Sequence, residues 1–251
     1  MATEVVTLPV CGDNYSYCVI NGKDAIVIDA CDSRPVINLL EKRHLSLRMI
    51  LSTHHHGDHT GGNAVLKQKT GCTILGGDPR IADIDRMIRD GDEIRSGPVP
   101  LTCIETPGHT RGSFIFALPL QNALFTGDTM FYAGCGRLFE GAAPELYHSL
   151  KTIASYPPDT CIYAGHEYTL DNLKFARSVE PDNPRLVERT TTAGLQLHSS
   201  DKYGPSSLEE ELSTNPFLRT GSPTIRKTLG LLPDADDVMV FEELRKRKDC
   251  F

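Results

Sequence analysis

No apolar run in this 251-residue chain approaches the roughly 20 residues that a membrane-spanning helix needs, so no membrane partner is expected. The opening Met1-Ala2-Thr3-Glu4-Val5-Val6 lacks the basic n-region of a secretory signal and the Arg-rich, acid-poor character of a transit peptide, which makes a cytoplasmic location the expectation. No C-x-x-C spacing occurs. The eight cysteines stand at 11, 18, 31, 72, 103, 135, 161 and 250, several within strand-like apolar runs, and this predicts reduced, mostly buried thiols rather than a disulfide framework or a thiolate zinc site. Positive charge is in deficit: a formal net charge of -7 argues against nucleic acid as a partner. There is no G-x-S-x-G turn, so no serine nucleophile of that type is available. Hydrophobic content of 39% with charge at 24% is ordinary for a globular protein, and the length allows one large domain, or one domain with a small appendage. A monomer is expected.

What is present concentrates in Thr53-His54-His55-His56-Gly57-Asp58-His59-Thr60-Gly61-Gly62-Asn63, directly after the strand-like Met49-Ile50-Leu51. His54 and His56 are two apart, so in extended backbone they point to the same side, and His55 points away. Asp58 and His59 follow at the turn into a helix, Ala64 to Lys69, closed by Gly71. Four chelating groups this close suit one divalent ion, or two if more ligands arrive from elsewhere. Candidates do arrive, each after a short apolar run and each preceded by glycine: His109 in Pro107-Gly108-His109, Asp128 in Thr126-Gly127-Asp128, and His166 in Ala164-Gly165-His166. Glycine there lets the chain turn sharply and come close to an ion. Of the nine histidines, His44, His55, His148 and His198 are read as structural or solvent-facing; for the other five that reading would require a separate coincidence at each strand end.

Up to about residue 168 the pattern predicts strands at Glu4–Leu8, Tyr15–Ile20, Ala25–Asp29, Met49–Ser52, Thr73–Leu75, Leu101–Glu105, Phe114–Leu118, Ala123–Thr126 and Thr160–Tyr163. Helices are predicted at Arg34–Lys42, Ala64–Lys69, Pro144–Ala154, and Asp78–Met87, with Asp78 as N-cap and Pro79 at the first position. After His166 helical signals take over, at Leu170–Ser178, Leu186–Leu197, Leu208–Leu212 and Asp236–Lys248, punctuated by prolines. Two domains are expected, 1–168 with two sheets and outer helices, and a helical 169–251 too small to be comfortably self-sufficient, packed across the mouth of the site. Periodicity by itself does not separate this from other α/β arrangements.

The order H-x-H-x-D-H, then a distant His, Asp and His, resembles the metallo-β-lactamase-fold hydrolases. Within them the chain is most similar to the glyoxalase II, or hydroxyacylglutathione hydrolase, family. The likeness runs from Val6-Thr7-Leu8-Pro9 and Asp13-Asn14-Tyr15 through Gly134-Cys135-Gly136-Arg137 to Gly165-His166-Glu167-Tyr168-Thr169, Asn172-Leu173-Lys174-Phe175-Ala176 and Lys248-Asp249. The resemblance implies an α+β fold, a four-layer αββα sandwich with a small C-terminal helical domain. It implies that His54, His56 and His109 hold one divalent ion, that Asp58, His59 and His166 hold a second, and that Asp128 bridges them. Asp58 and Asp128 would then act with a bridging hydroxide, formed because water between two dications has a pKa of around 7 or lower. Imidazole and carboxylate donors accept zinc, iron or manganese, with zinc the first expectation. Asp29 is read as orienting the ligands rather than as one of them.

The implied reaction is hydrolysis of S-D-lactoylglutathione and other 2-hydroxyacylglutathiones to glutathione and the hydroxy acid, D-lactate in the first case. A thiol of pKa about 8.5 leaves without a strong general acid. Arg137, Phe139, Tyr168, Arg245 and Lys248 fall at the implied glutathione site. Arg137 stands where the family commonly has lysine, and Phe139 where it commonly has tyrosine; phenylalanine cannot donate the hydrogen bond, worth about 0.5–1.5 kcal/mol. Read without the resemblance, Leu244-Arg245-Lys246-Arg247-Lys248 is a solvated helix face, and Tyr168 a core aromatic. Cys135 sits near the implied site but has no partner histidine in its motif. The competing functions are a mononuclear-iron persulfide dioxygenase of the same superfamily, and a non-catalytic metal-stabilised binding protein.

Overall fold

β1 (Thr3–Val10) and β2 (Asn14–Asn21) are rich in β-branched and aromatic residues and pair antiparallel, from Thr3↔Asn21 to Val10↔Asn14. β3 (Asp24–Ile28) returns beside β2 after a turn through Gly22, whose φ of +63° glycine adopts without a Cβ clash. The next three strands, β4 (Ser46–Ser52), β5 (Thr73–Gly76) and β6 (Arg86–Met87), run parallel to their neighbours, and parallel pairing requires crossovers. α1 (Ser33–Arg43) supplies the first crossover; the short α2 (Gly57–Thr60) and α3 (Asn63–Thr70) supply the second. Asp32 starts α1 by accepting the Arg34 N–H at 2.9 Å, and His44 ends it in the left-handed conformation, φ +52°, a structural role as its sequence context suggested.

Val36 and Leu40 of α1 and Leu66 of α3 pack on Val27, Ile50 and Ile74 of the sheet, all buried. Each contributes about 1.5–3 kcal/mol by leaving water, which outweighs the helix propensity of such short segments. A second, antiparallel set follows: β7 (Glu93–Ser96), β8 (Val99–Glu105), β9 (Phe114–Leu118) and β10 (Ala123–Gly127). Phe125 of β10 meets Tyr17 of β2 with ring centroids 5.4 Å apart, joining the two sheets.

These elements belong to the first of two compact units, Met1–Glu105, Gly112–Gly127 and Ala164–His166; the second comprises Thr106–Arg111, Asp128–Tyr163 and Glu167–Phe251. The computed structural model describes residues 3–96, 99–200 and 202–251. Among them no helix is long and apolar enough to cross a membrane.

The second unit contains a short hairpin, β11 (Met130–Phe131) with β12 (Gly134–Cys135), then α4 (Ala143–Ala154) and all but the last residue of β13 (Cys161–Ala164), which pairs with β14 (Ser206–Ser207). Its helices are α5 (Thr169–Val179), α6 (Pro184–Ser200), α7 (Leu208–Thr214), α8 (Pro223–Leu229) and α9 (Asp237–Asp249). Phe217 is the hub of their core: it stacks on Phe175 and meets Phe241, which in turn meets Tyr147, at centroid distances of 6.0, 5.7 and 5.8 Å. Inside this apolar setting lies a fully buried ion pair, Arg189 with Glu211, whose remaining donors and acceptors reach Thr214 at 2.6 Å, Tyr203 at 3.3 Å and Ser206. Burying both charges is tolerable because Arg189 donates four hydrogen bonds and Glu211 accepts four.

Two sequence expectations are corrected. Residues 78–87 form turns and then β6, not a helix. Asp78 accepts the Arg80 N–H at 2.9 Å and closes a turn, Asp83 adopts φ +56°, and Asp85 accepts the Ile74 N–H at 2.9 Å, so side chains that could cap a helix instead break one. Secondly, Cys11 and Cys31 form a disulfide. The other six cysteines are free, Cys18, Cys72, Cys103 and Cys135 among them buried as expected. The pairing arises because the antiparallel β1–β2 and β2–β3 connections return the end of β3 to the β1–β2 turn, a proximity that linear spacing does not display.

Candidate metal centre

In the first unit β4 ends at Ser52, and the chain then delivers His54, buried, and His56, half-buried, with His54 Nε2 and His56 Nδ1 3.0 Å apart. His55 turns elsewhere and lies 3.5 Å from Asp78 Oδ2. Asp58 and His59 sit in the single turn of α2. His166 comes from a separate segment, held by hydrogen bonds from Tyr15 N to Gly165 O at 2.8 Å, from the Tyr17 hydroxyl to Ala164 O at 2.5 Å, and from Gly165 N to Gly127 O at 2.9 Å. The result brings three donors together: His59 Nε2 to His166 Nε2 3.2 Å, His166 Nε2 to Asp58 Oδ2 3.4 Å, and His59 Nε2 to Asp58 Oδ2 3.7 Å.

These separations can be tested against an ion. Donors about 2.1 Å from a tetrahedral divalent metal lie about 3.4 Å from one another, the spacing found. The partners behind the rings point the same way. Asp29 Oδ2 lies 2.9 Å from His59 Nδ1, and Asp13 Oδ1 lies 3.2 Å from His166 Nδ1. A carboxylate at Nδ1 fixes the ring proton there, so both Nε2 atoms present lone pairs to each other. Two acceptors at that distance repel unless a cation lies between them, which makes the donor set fit a divalent ion. Asn14 reinforces this arrangement by donating toward Asp58 Oδ2 at 3.2 Å and His166 Nε2 at 3.3 Å.

Asp29 anchors more than one ring. Its buried carboxylate also accepts the Thr53 N–H and the Thr53 hydroxyl, both at 2.7 Å, and Thr53 Oγ1 in turn lies 3.0 Å from His54 Nδ1. Gly127 leaves room for that threonine: with φ +46°, a Cβ there would stand 2.5 Å from Thr53 Oγ1.

In the second unit His109 and Asp128 are buried neighbours, Nε2 to Oδ2 3.4 Å. His109 Nδ1 lies 2.9 Å from the Arg137 carbonyl oxygen, which as an acceptor again places the proton on Nδ1. The loop that carries this carbonyl is clamped from the helices. Asn172 Nδ2 donates to Tyr132 O at 3.0 Å, Asn215 Nδ2 to Gly134 O at 3.0 Å, Arg245 to Cys135 O at 2.9 Å, and Glu211 accepts the Ala133 N–H at 2.8 Å. Gly136 permits the closest approach, since a Cβ there would lie 2.1 Å from Asp128 O and 2.9 Å from His109 Nδ1.

The expected substrate residues also lie in this unit. Arg137 is exposed, 3.7 Å from Asp249; Phe139, 64% exposed, sets its ring against the edge of His109 at 5.3 Å; and Tyr168 meets Phe131 at 5.3 Å. Arg245 is only 4% exposed, bound to Cys135 O and to Asp249 at 2.8 Å, with its guanidinium over Phe217. It is therefore not the solvated face that its basic run suggests. Lys248 lies over Phe175 and Phe251 and donates to Asp171 O at 3.1 Å; burial, then the charge of Arg245, pushes its ammonium down to about 8. Cys135 is no nucleophile here, because burial pushes its thiol up to about 11.

Sequence reasoning missed Asp13 as a partner of His166, and Asn14, Asn172, Asn215 and Glu211 as supports. Asp13, Asn14 and Asn172 do fall in stretches that carry the family likeness; Asn215 and Glu211 have no such signal.

Comparison with known proteins completes these observations. The chain matches the family model of the hydroxyacylglutathione hydrolase C-terminus over residues 167–251, and that of the metallo-beta-lactamase superfamily over 9–81 and 74–166. It is 44% identical to a hydroxyacylglutathione hydrolase of Methylococcus capsulatus over 99% of this chain and 98% of that one, and 44% identical to one of Brucella ovis over 95% of each. Among solved structures it resembles ETHE1 from Myxococcus xanthus, with a TM-score of 0.67 and 23% identity over 100% of this chain and 99% of that one. It also resembles TTHA1623 in a di-iron-bound form, with a TM-score of 0.63 and 24% identity over 86% of this chain and 100% of that one. The fold is thus the α+β metallo-β-lactamase sandwich followed by a helical C-terminal region.

Proposed function

The chain belongs to the hydroxyacylglutathione hydrolase, or glyoxalase II, family of the metallo-β-lactamase superfamily, and from that premise we propose that it hydrolyses S-D-lactoylglutathione and related 2-hydroxyacylglutathiones to glutathione and the hydroxy acid. The protein binds metal; the proposal is two divalent ions, zinc first, with iron or manganese accepted by the same donors. His54, His56 and His109 would hold one, Asp58, His59 and His166 the other, and Asp128 both. When bound, such ions supply Lewis acidity, which polarises an acyl carbonyl and makes hydroxide available at neutral pH.

The chain's own residues do the rest. Asp29 and Asp13 keep the protons of His59 and His166 on Nδ1, and the Arg137 carbonyl does so for His109. Asn14 steadies the Asp58 carboxylate. The exposed Arg137 and the Lys248 ammonium offer cations to the glutathione carboxylates, Phe139 and Tyr168 offer ring faces, and Arg245 holds the loop at Cys135 that presents Arg137. No residue need protonate the leaving thiolate. We assign 1–168 to the catalytic domain and 169–251 to the substrate-binding domain, a division that the 166/167 boundary between the two family matches supports. We propose a cytoplasmic monomer acting on a small molecule, with no membrane partner; the net charge of -7 argues against nucleic acid as a partner.

The observation that carries the reading is the Asp58–His59–His166 cluster, with both Nε2 atoms aimed at one point. The match at 167–251 to a hydrolase C-terminus favours hydrolysis over persulfide oxidation. Metal analysis of purified protein, with thioester hydrolysis measured before and after chelation, tests it. Two equivalents of metal, chelator-sensitive hydrolysis and no oxygen uptake are expected; one iron with oxygen consumption on glutathione persulfide would replace the proposal with the dioxygenase.

A further inference from the structure

The Cys11–Cys31 disulfide lies against the supports of the Asp58–His59–His166 cluster. Cys11 is exposed in the β1–β2 turn, two residues before Asp13, which faces His166, and three before Asn14, which faces Asp58 and His166. Cys31 is buried, two residues after Asp29, which orients His59 and, through Thr53, His54. Ser16 links the two sides: its hydroxyl donates to Asp29 O and accepts the Cys31 N–H at 3.4 Å. One covalent bond thus joins the two loops whose side chains set the ring protons of the metal-binding histidines. Cys11 also holds φ +52°, a conformation that a residue with a Cβ adopts at some cost unless something fixes it.

We propose that Cys11–Cys31 is a thiol-exchange site for small thiols, and that its reduction loosens metal held by Asp58, His59 and His166. That glutathione, the product thiol, is the reductant in use rests on the function proposed above; the exchange itself does not. A thiolate attacks the exposed Cys11 Sγ, forming a mixed disulfide as the Cys11–Cys31 bond breaks, and the electron pair leaves on Cys31 Sγ, which takes a proton. A second thiolate attacks the outer sulfur, releasing the small-molecule disulfide and the Cys11 thiolate, which is protonated. Two thiols are oxidised and one protein disulfide is reduced. With the bond gone, the β1–β2 turn and the loop after β3 keep their hydrogen bonds through Ser16 but lose their covalent link. Asp13, Asn14 and Asp29 then hold their rings less firmly. Removing such outer partners outright costs about 10- to 100-fold in metal affinity, so loosening them should cost about 3- to 10-fold.

The test is made on the zinc-loaded full-length protein. Free thiols are counted by mass spectrometry after alkylation, in glutathione/glutathione-disulfide buffers from oxidising to reducing, and zinc release to a chelator is timed in the same buffers. Six alkylated cysteines are expected at the oxidising end and eight at the reducing end, with release about 3- to 10-fold faster when reduced. A Cys11→Ser/Cys31→Ser variant should release zinc at the fast rate in every buffer, which separates loss of the bond from competition by glutathione for the metal. Eight alkylated cysteines throughout, or equal release from oxidised and reduced wild type, would overturn the proposal. The wild-type comparison decides the matter even if the variant does not fold, and neither readout depends on hydrolytic activity.

Discussion

Asp29→Asn removes one charge from the site and almost no volume, and its effect follows from where hydrogens can go. The carboxylate accepts three hydrogen bonds: from Thr53 N to Oδ1, from Thr53 Oγ1 to Oδ2 and from His59 Nδ1 to Oδ2, at 2.7, 2.7 and 2.9 Å. Asparagine can keep its oxygen toward the Thr53 N–H. Its amide nitrogen then stands where Oδ2 was and presents hydrogens to His59 Nδ1. Donor cannot face donor, so His59 must move its proton to Nε2, the atom that lies 3.2 Å from His166 Nε2 and 3.7 Å from Asp58 Oδ2. A protonated Nε2 cannot bind a metal.

The cost is that of forcing the wrong tautomer back. Loss of an outer partner lowers metal affinity about 10- to 100-fold, or about 1.4–2.7 kcal/mol, and inversion of the proton should place Asp29→Asn in the upper half of that range. Asp29→Ala leaves His59 free to choose its tautomer. It should therefore lose less metal affinity but more stability, at about 1–3 kcal/mol for each buried donor left without an acceptor. Zinc competition against a chromophoric chelator, paired with urea unfolding of the metal-free protein, separates the two quantities. If Asp29→Asn binds zinc within about threefold of wild type, or more tightly than Asp29→Ala, the tautomer argument is wrong.

Other expectations come from single contacts. Glu211→Ala removes the nearer carboxylate from Arg189, 2% exposed, and leaves Glu210 at 3.4 Å, so it should cost about 3 kcal/mol in urea unfolding; a loss under about 1 kcal/mol would show that Glu210 or water suffices for the charge. Asp128→Ala should abolish turnover and release at least one metal equivalent, and full activity in that variant would remove the two-ion proposal. Lys248→Ala should raise KM more than it lowers kcat, as for a contact equally present in ground and transition states. Because its ammonium titrates near 8, the charge is present below that pH and lost above it, so wild-type KM should rise from pH 7 to 9 while the variant's stays level. A flat wild-type profile would take Lys248 out of the substrate site.

Much of this was legible in the sequence because metal chemistry demands rare residues at set places. His54, His56, Asp58 and His59 follow one strand, and the compressed H-x-H-x-D-H motif leaves their backbone few conformations. The nine strands read from apolar periodicity all form, since each buries a β-branched or aromatic face whose period survives in the linear order. The helix read at Asp78–Met87 fails because aspartate cannot be ranked in advance between cap and turn: the same carboxylate that caps a helix closes a turn when a neighbouring N–H or guanidinium, here that of Arg80, takes it first. Contacts made by common polar residues are less legible still. Asn215 and Glu211 meet Gly134 O and the Ala133 N–H across some 80 residues, and nothing in their neighbours marks them. Arg245 is a sharper case. In the linear order it is one of four basic residues in a row, and nothing there separates it from Arg247, which is 40% exposed in its side chain, whereas Arg245 is 5% exposed. Only the fold decides which of them faces Cys135 O. Local pattern therefore identifies the candidate metal ligands, while the atoms that hold those in place are specified by tertiary contacts. It follows that substitutions at Asn172, Glu211 and Asn215 test the reasoning more severely than substitutions at the histidines, whose importance the motif already declares.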